Sequence, residues 1–252
     1  MNSSLFAQYL PNFLFILLRA GIVMSLLPAI GSRNFPAQFK IGIAVAIALI
    51  LSPVVDFPVT RAGIPFVVMH EIIFGIAFGF AARFIFLAVD MAGQLMSTSM
   101  GMSIATVFNP EVGQTTDLSQ LYGVITMLVF FAIDGHHDLI YVFVRSYEWL
   151  PGGQINIANL FATLVSITSK MFVIALKLSA PVVLGMVISN ILLGFIYKVA
   201  PQINVFFVGY PVFMFVGFII LFFGITVFVN GIGGYFGTMK GELIRVIEAA
   251  KG

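Results

Sequence analysis

The sequence predicts an all-α integral membrane protein, and three observations carry that prediction. Hydrophobic residues make up 60% of the chain and charged residues 9%, with a mean hydropathy of +1.10; a soluble domain averages about 25% charged. The apolar residues gather into six runs, 13–30, 41–55, 66–89, 121–133, 160–197 and 203–229. The intervening segments, 31–36, 52–65, 109–120, 151–153 and 200–204, are marked by Pro and Gly and are too short to form a separate domain. A formal net charge of +2 without any run of Lys or Arg argues against nucleic-acid binding. With no cysteine there is no disulfide framework, thiolate metal site or catalytic thiol. Met1 to Tyr9 carries no charged side chain, so the first apolar helix reads as retained and not as a removable signal.

Taken in order, the runs match simple membrane spans unevenly. Crossing a hydrocarbon layer about 30 Å thick takes roughly 20 apolar residues. Runs 41–55 and 121–133 are short, while 160–197 is nearly twice that length and contains Lys170, Lys177 and Pro181. Pro181 removes a helical hydrogen bond and is expected to kink or split its run. Beyond Gly234 the character changes: Lys240, Glu242, Arg245 and Glu248 alternate with Leu243, Ile244, Val246 and Ile247, the pattern of a water-facing amphipathic helix. Arg33 and Lys40 argue that the first loop is cytoplasmic, and Lys240, Arg245 and Lys251 argue the same for the tail. Six plain crossings would put them on opposite sides, so either one run does not cross or the charge rule fails here.

The stretch 90–138 is the least membrane-like. Gly93, Ser97, Gly101 and Ala105 recur every four residues and form one small-residue stripe suited to packing against another subunit; packing inside the chain is the alternative. Gly75 with Gly79, and Gly233 with Gly237 and Gly241, repeat the device. Met91, Met96, Met100 and Met102 add deformable surface beside the first stripe, or simply fill core. The polar loop that follows, broken by Pro110 and Gly113, cannot face lipid and must be enclosed by protein or line a wet cavity.

Ionisable residues within apolar runs are Arg19, His70, Glu71, Arg83, Asp90, Lys170 and Lys177. Isolated charge at membrane depth is expensive. Buried charge is expected at Lys177, Glu71 and Arg83, with Glu71 or Asp90 pairing with Arg83 or a lysine; snorkelling is the alternative for each. His136 and His137 invite a metal reading, but neighbours on a helix diverge by about 100° and only Asp134 and Asp138 lie nearby. No metal and no cofactor are expected. Gly-x-Ser-x-Gly, His-Glu-x-x-His and Gly-Lys-Ser/Thr motifs are all missing, so an enzyme is not expected either.

The stretch GQLMSTSMGMSIATVFNPEVGQTTDLSQLYGVITMLVFFAIDGHHDLI, followed by RSYEWLP, resembles the R component of the flagellar type III export gate, the FliR family, which is related to the T component of virulence injectisomes. LLRAGIVMSLLPAIG near the start and KLSAPVVLGMVISNILLGFIYKVAPQINVFFVGYP in the second half extend the resemblance to essentially the whole chain. By analogy, the resemblance implies one such subunit joined to about five FliP and about four FliQ subunits in a helical ring, with FlhB at the entrance and unfolded export substrates passing through the centre. It implies a P-like part over 1–175 and a Q-like helical hairpin with an amphipathic tail over 176–252. It also implies an inner-membrane basal-body location, with part of the assembly above the bilayer on the periplasmic side.

In such a family the central loop plugs the closed pore. Here that loop holds Val107, Phe108 and Val112 as apolar seals, Pro110 and Gly113 as breaks, and Asn109, Gln114, Thr115, Thr116 and Asp117 as exchangeable polar contacts. Two other readings remain open: an injectisome T component, which the same resemblance also allows, and a secondary transporter using Lys177, Glu71 and Arg83 at the midplane.

Overall fold

The structure is a computed structural model that describes residues 3–27, 36–55, 57, 63–102, 117–151, 155–202 and 205–252. Among these residues there are seven helices and no strand: α1 (Ser3–Leu26), α2 (Ala37–Leu51), α3 (Ile64–Ser99), α4 (Asp117–Ala132), α5 (Gly135–Trp149), α6 (Ile157–Val199) and α7 (Val205–Lys251). Four of them, α1, α3, α6 and α7, are long and apolar enough to cross a membrane, and the interrupted pair α4–α5 makes a fifth if counted as one span. This is an all-α integral membrane protein.

The helices differ from the apolar runs in three places. Pro181 does not split its run: α6 continues for 43 residues around it. A proline removes one N–H and leaves one carbonyl unserved, which a long helix packed beside another tolerates. The Gly-rich stretch after 230 does not separate the tail, which continues α7 to a length of 47 residues. That tail also does more than face water: Met239, Leu243, Val246, Ile247 and Ala250 are all buried. Finally, α5 belongs to no apolar run because His136, His137, Asp138, Arg145 and Glu148 interrupt it, while Leu139, Val142, Phe143 and Tyr147 form its buried face.

At about 1.5 Å per residue, the 15 residues of α2 reach only about 22 Å, too short to span. With α2 not crossing and α4–α5 counted once, four crossings separate the first loop from the tail. An even count agrees with the basic residues of the two segments calling for the same side.

The chain divides into two compact units, interleaved along the sequence. The first comprises Met1–Phe84, Asp134–Ser169 and Phe236–Gly252; the second comprises Ile85–Ile133 and Lys170–Tyr235. In the first unit α1 buries Phe15, Ile16, Arg19, Ala20, Val23 and Met24, a three-and-four spacing that puts them on one stripe. It packs against α2 and, through Ile22 and Leu26, against Gly75 and Gly79 of α3. Phe78 meets Phe143 of α5 with ring centroids 5.9 Å apart. The tail joins this unit by a backbone bond from the Asn156 N–H to the Ala250 carbonyl, 2.9 Å, and by Lys240 donating to Asp138, 2.7 Å.

In the second unit the halves of α6 and α7 form an antiparallel pair with the end of α3 and with α4. Gly185 of α6 receives Ile220 of α7, and Gly217 of α7 receives Met100. Tyr122 and Phe228 meet edge to face at 4.4 Å. Much of this unit's apolar surface is open, including Leu184, Ile188, Phe195, Phe215, Phe222 and Phe223.

Candidate functional site

Two constellations stand out, one in each unit. The loop assigned as a plug, with Val107, Phe108, Asn109, Pro110, Val112, Gly113, Gln114, Thr115 and Thr116, lies outside the described residues, as does Ala105 of the small-residue stripe; Asp117 opens α4. What the structure does define is the neck that carries this loop. At the end of α3, Gly101 has φ +78°, its N–H donates to the Thr98 carbonyl, and the Met102 N–H reaches back to the Ser97 carbonyl, both at 3.0 Å. Those two bonds and the left-handed residue between them are a Schellman helix stop. Gly101 is therefore the residue that ends α3, a role the four-residue spacing hid.

About two turns before that stop, Gly93 allows the start of α4 to touch α3. A side chain added there would meet the Ser119 Cα at 2.5 Å. The stripe is thus used at Gly93 and Gly101 inside the chain, against Ser119 and Tyr210, the intrachain alternative to subunit packing. Ser97 lies fully buried between them, its hydroxyl without a hydrogen-bond partner among the described residues. The third stripe differs: Gly233, Gly237 and Gly241 have no atom within 4 Å of an added Cβ among the described residues.

In the first unit, Arg19 and Glu71 form a fully buried ion pair, 0% and 1% exposed. The guanidinium grips the carboxylate with two bonds, Nε to Oε2 at 2.5 Å and Nη2 to Oε1 at 2.6 Å. Nη1 donates to the Ser146 hydroxyl and Nη2 also to the Leu150 carbonyl, each at 3.1 Å. Phe74 and Tyr147 flank the guanidinium carbon at 4.7 and 4.3 Å from their ring centres, and the Tyr147 hydroxyl donates to the Ile16 carbonyl at 3.2 Å. A bidentate pair with its remaining donors served is the arrangement in which buried charge is tolerated. It ties α1, α3 and α5 together.

This corrects the pairing expected from sequence. Glu71 is buried as expected, but its partner is Arg19, not Arg83 or a lysine. Arg83 and Lys177 are exposed on the chain itself and make no ion pair among the described residues, because α3 and α6 turn them outward. Asp90 accepts from Gln94 at 3.1 Å. Arg19, Ser146 and Tyr147 were not singled out as site residues. Their signal was phase: each falls on the buried stripe of its helix, where a charge or hydroxyl must have a partner.

The two histidines also behave differently from expectation. Their ring centres lie 4.1 Å apart, with the planes tilted by 41°, and Asp134, in the left-handed conformation at φ 57°, brings its carboxylate to 3.6 Å from His137. One donor atom from each of the three lies within 4.8 Å of the others. The Asp134 and His137 side chains are 72% exposed, and a cation there would sit at the positive end of α5.

Buried charge clasped between helices, a glycine-stopped neck and long uncovered apolar helices define a polytopic membrane protein. The chain matches Bacterial export proteins, family 1, over residues 10–239 and belongs to that family. Its relatives include three proteins called flagellar biosynthetic protein FliR. That of Escherichia coli (strain K12) is 30% identical over 222 residues, covering 86% of this chain and 85% of the relative. That of Bacillus subtilis (strain 168) is 31% identical over 229 residues, covering 88% of each. That of Caulobacter vibrioides is 27% identical over 210 residues, covering 81% and 84%.

Proposed function

We propose that this chain is the R subunit of the flagellar type III export gate and forms part of the channel through which unfolded flagellar proteins cross the inner membrane. The observation that carries this reading is the family match over nearly the whole chain, with relatives whose names place them in flagellar biosynthesis. A length argument supports partner subunits. Exposed apolar residues run along α6 from Phe161 to Val199, about 57 Å of helix at 1.5 Å per residue. A bilayer covers about 30 Å of that, or about 39 Å at a 40° tilt. Protein must cover the remainder.

In this reading the partners are about five FliP and about four FliQ subunits with FlhB, by analogy with the family. Part of the assembly then stands above the bilayer on the periplasmic side. Residues 1–175 act as the P-like part and 176–252 as the Q-like hairpin, a division by likeness that is separate from the interleaved compact units. The loop 107–117 closes the pore, held by its neck at Gly93 and Gly101. No catalytic step is assigned to the chain.

The test is coexpression with the P, Q and B subunits, purification through a tag on this chain, and a copy-number measurement. A fixed stoichiometry near one R to five P and four Q is expected; a stable, monodisperse chain that recruits none of them overturns the reading. Replacing 109–116 with a short Gly/Ser bridge should leave assembly intact and make cells leaky to small ions. Normal assembly with leakage unchanged from the intact complex would remove the plug assignment while leaving the subunit assignment in place.

A further inference from the structure

We infer that the cleft beside Lys177 in the second unit binds an anionic phospholipid, its acyl chain lying in the cleft and its phosphate on the lysine. The cleft is about 470 Å³ and is walled by Met96, Tyr122, Pro181, Val182 and residues 219–228 of α7. An adjoining apolar cleft of about 520 Å³ shares Tyr122, Ile219, Leu221 and Phe223 with it, so the lining continues as one greasy surface. Lys177 is the only charged side chain on either wall among the described residues. It is exposed and has no ion pair among the described residues.

Its neutralising charge cannot come from the hairpin it belongs to. Between Lys170 and Tyr235 the sequence holds Lys170, Lys177 and Lys198 and neither Asp nor Glu. A cation at the edge of an apolar cleft, with no acid on its own hairpin, complements a molecule that is anionic at one end and hydrocarbon at the other. Pro181 strengthens the match. It lacks the N–H that would have served the Lys177 carbonyl, which leaves a backbone acceptor in this turn of α6 for a headgroup or glycerol hydroxyl.

Depth agrees as well. Lys177 lies near the middle of the 43 residues of α6, so each half flanking it has about the 20 residues that one hydrocarbon crossing takes. A span formed by either half alone would end at Lys177 and set the ammonium at headgroup level.

The site lies wholly within the second unit, so the test works on the full chain with or without copurifying subunits. The protein is reconstituted in nanodiscs of phosphatidylglycerol and phosphatidylcholine, extracted in mild detergent, and its retained lipids are counted by native mass spectrometry. Wild type should keep one phosphatidylglycerol per chain with roughly fivefold preference, the factor one interfacial lysine supplies. Lys177→Gln should lose that preference and Lys177→Arg keep it. Gly224→Leu, which fills a cleft position with open space around it, should lower retention of both lipids.

A wild-type chain without preference, or Lys177→Gln with the preference intact, overturns the inference. So does Lys177→Gln shedding partner subunits while lipid retention stays unchanged, since a carboxylate of another subunit would then be the counter-charge. Should Lys177→Gln not be recovered folded, undiminished phosphatidylglycerol on Gly224→Leu overturns the inference by itself.

Discussion

The first unit draws a complete ion pair out of solvent and surrounds it with Ser146, Tyr147, Phe74 and a backbone carbonyl, whereas the second leaves Lys177 uncovered and turns phenylalanines such as Phe215, Phe222 and Phe223 outward. The difference follows from what each kind of group costs while unassembled. A lone buried charge is penalised as soon as the chain folds, so its partner has to come from the same chain. An open apolar face costs little in lipid and can wait for lipid or another subunit. The first unit is therefore self-sufficient in its buried charge, while apolar faces stay open in both units, at Phe66 and Ile76 in the first as at Phe222 in the second.

The largest expected effect tests that self-sufficiency. Arg19→Met strands Glu71 in the core and should destabilise the chain by about 3–5 kcal/mol, measured as loss of thermal stability in detergent. Adding Glu71→Leu to it should restore most of the loss, because the remaining site is apolar and of similar volume. If the double variant is as unstable as the single one, the pair is not the source of the penalty.

Next in size is the neck. At Gly93, Leu would collide with the Ser119 backbone, which cannot swing aside as a side chain would, and overpacking of this kind costs about 1–3 kcal/mol. Gly93→Leu should also make the assembled complex leaky, since it displaces one end of the loop; unaltered stability would show that the α3–α4 approach is looser than the structure has it. The smallest effect on the chain itself belongs to Gly237, around which an added Cβ meets nothing. Gly237→Ala should leave chain stability unchanged or raise it by up to about 1 kcal/mol through helix propensity. Pull-down yields of partner subunits give this variant its point: a drop with stability intact marks the open stripe on α7 as an assembly surface, and unchanged yield marks it as lipid-facing.

Much of this protein was determined by sequence alone. Composition and run length fix an all-α membrane protein, because hydrocarbon admits few other backbones, and the motif around Gly93 to Ile140 together with its flanks identifies the family. The phase of Arg19 with Phe15 and Ile16, and of Glu71 with Phe74 and Phe78, already put both charges on buried stripes. Sequence spacing also brought out the small-residue ladders. Only the tertiary structure decided which residue each of these meets. Helical spacing specifies a face but carries no information on the element opposite, so Glu71 could be matched to any cation until α1 was seen to lie against α3. For the same reason Gly93, Gly101 and Gly237 look alike in sequence, yet one admits a neighbouring backbone, one stops a helix through a positive φ, and one faces open space.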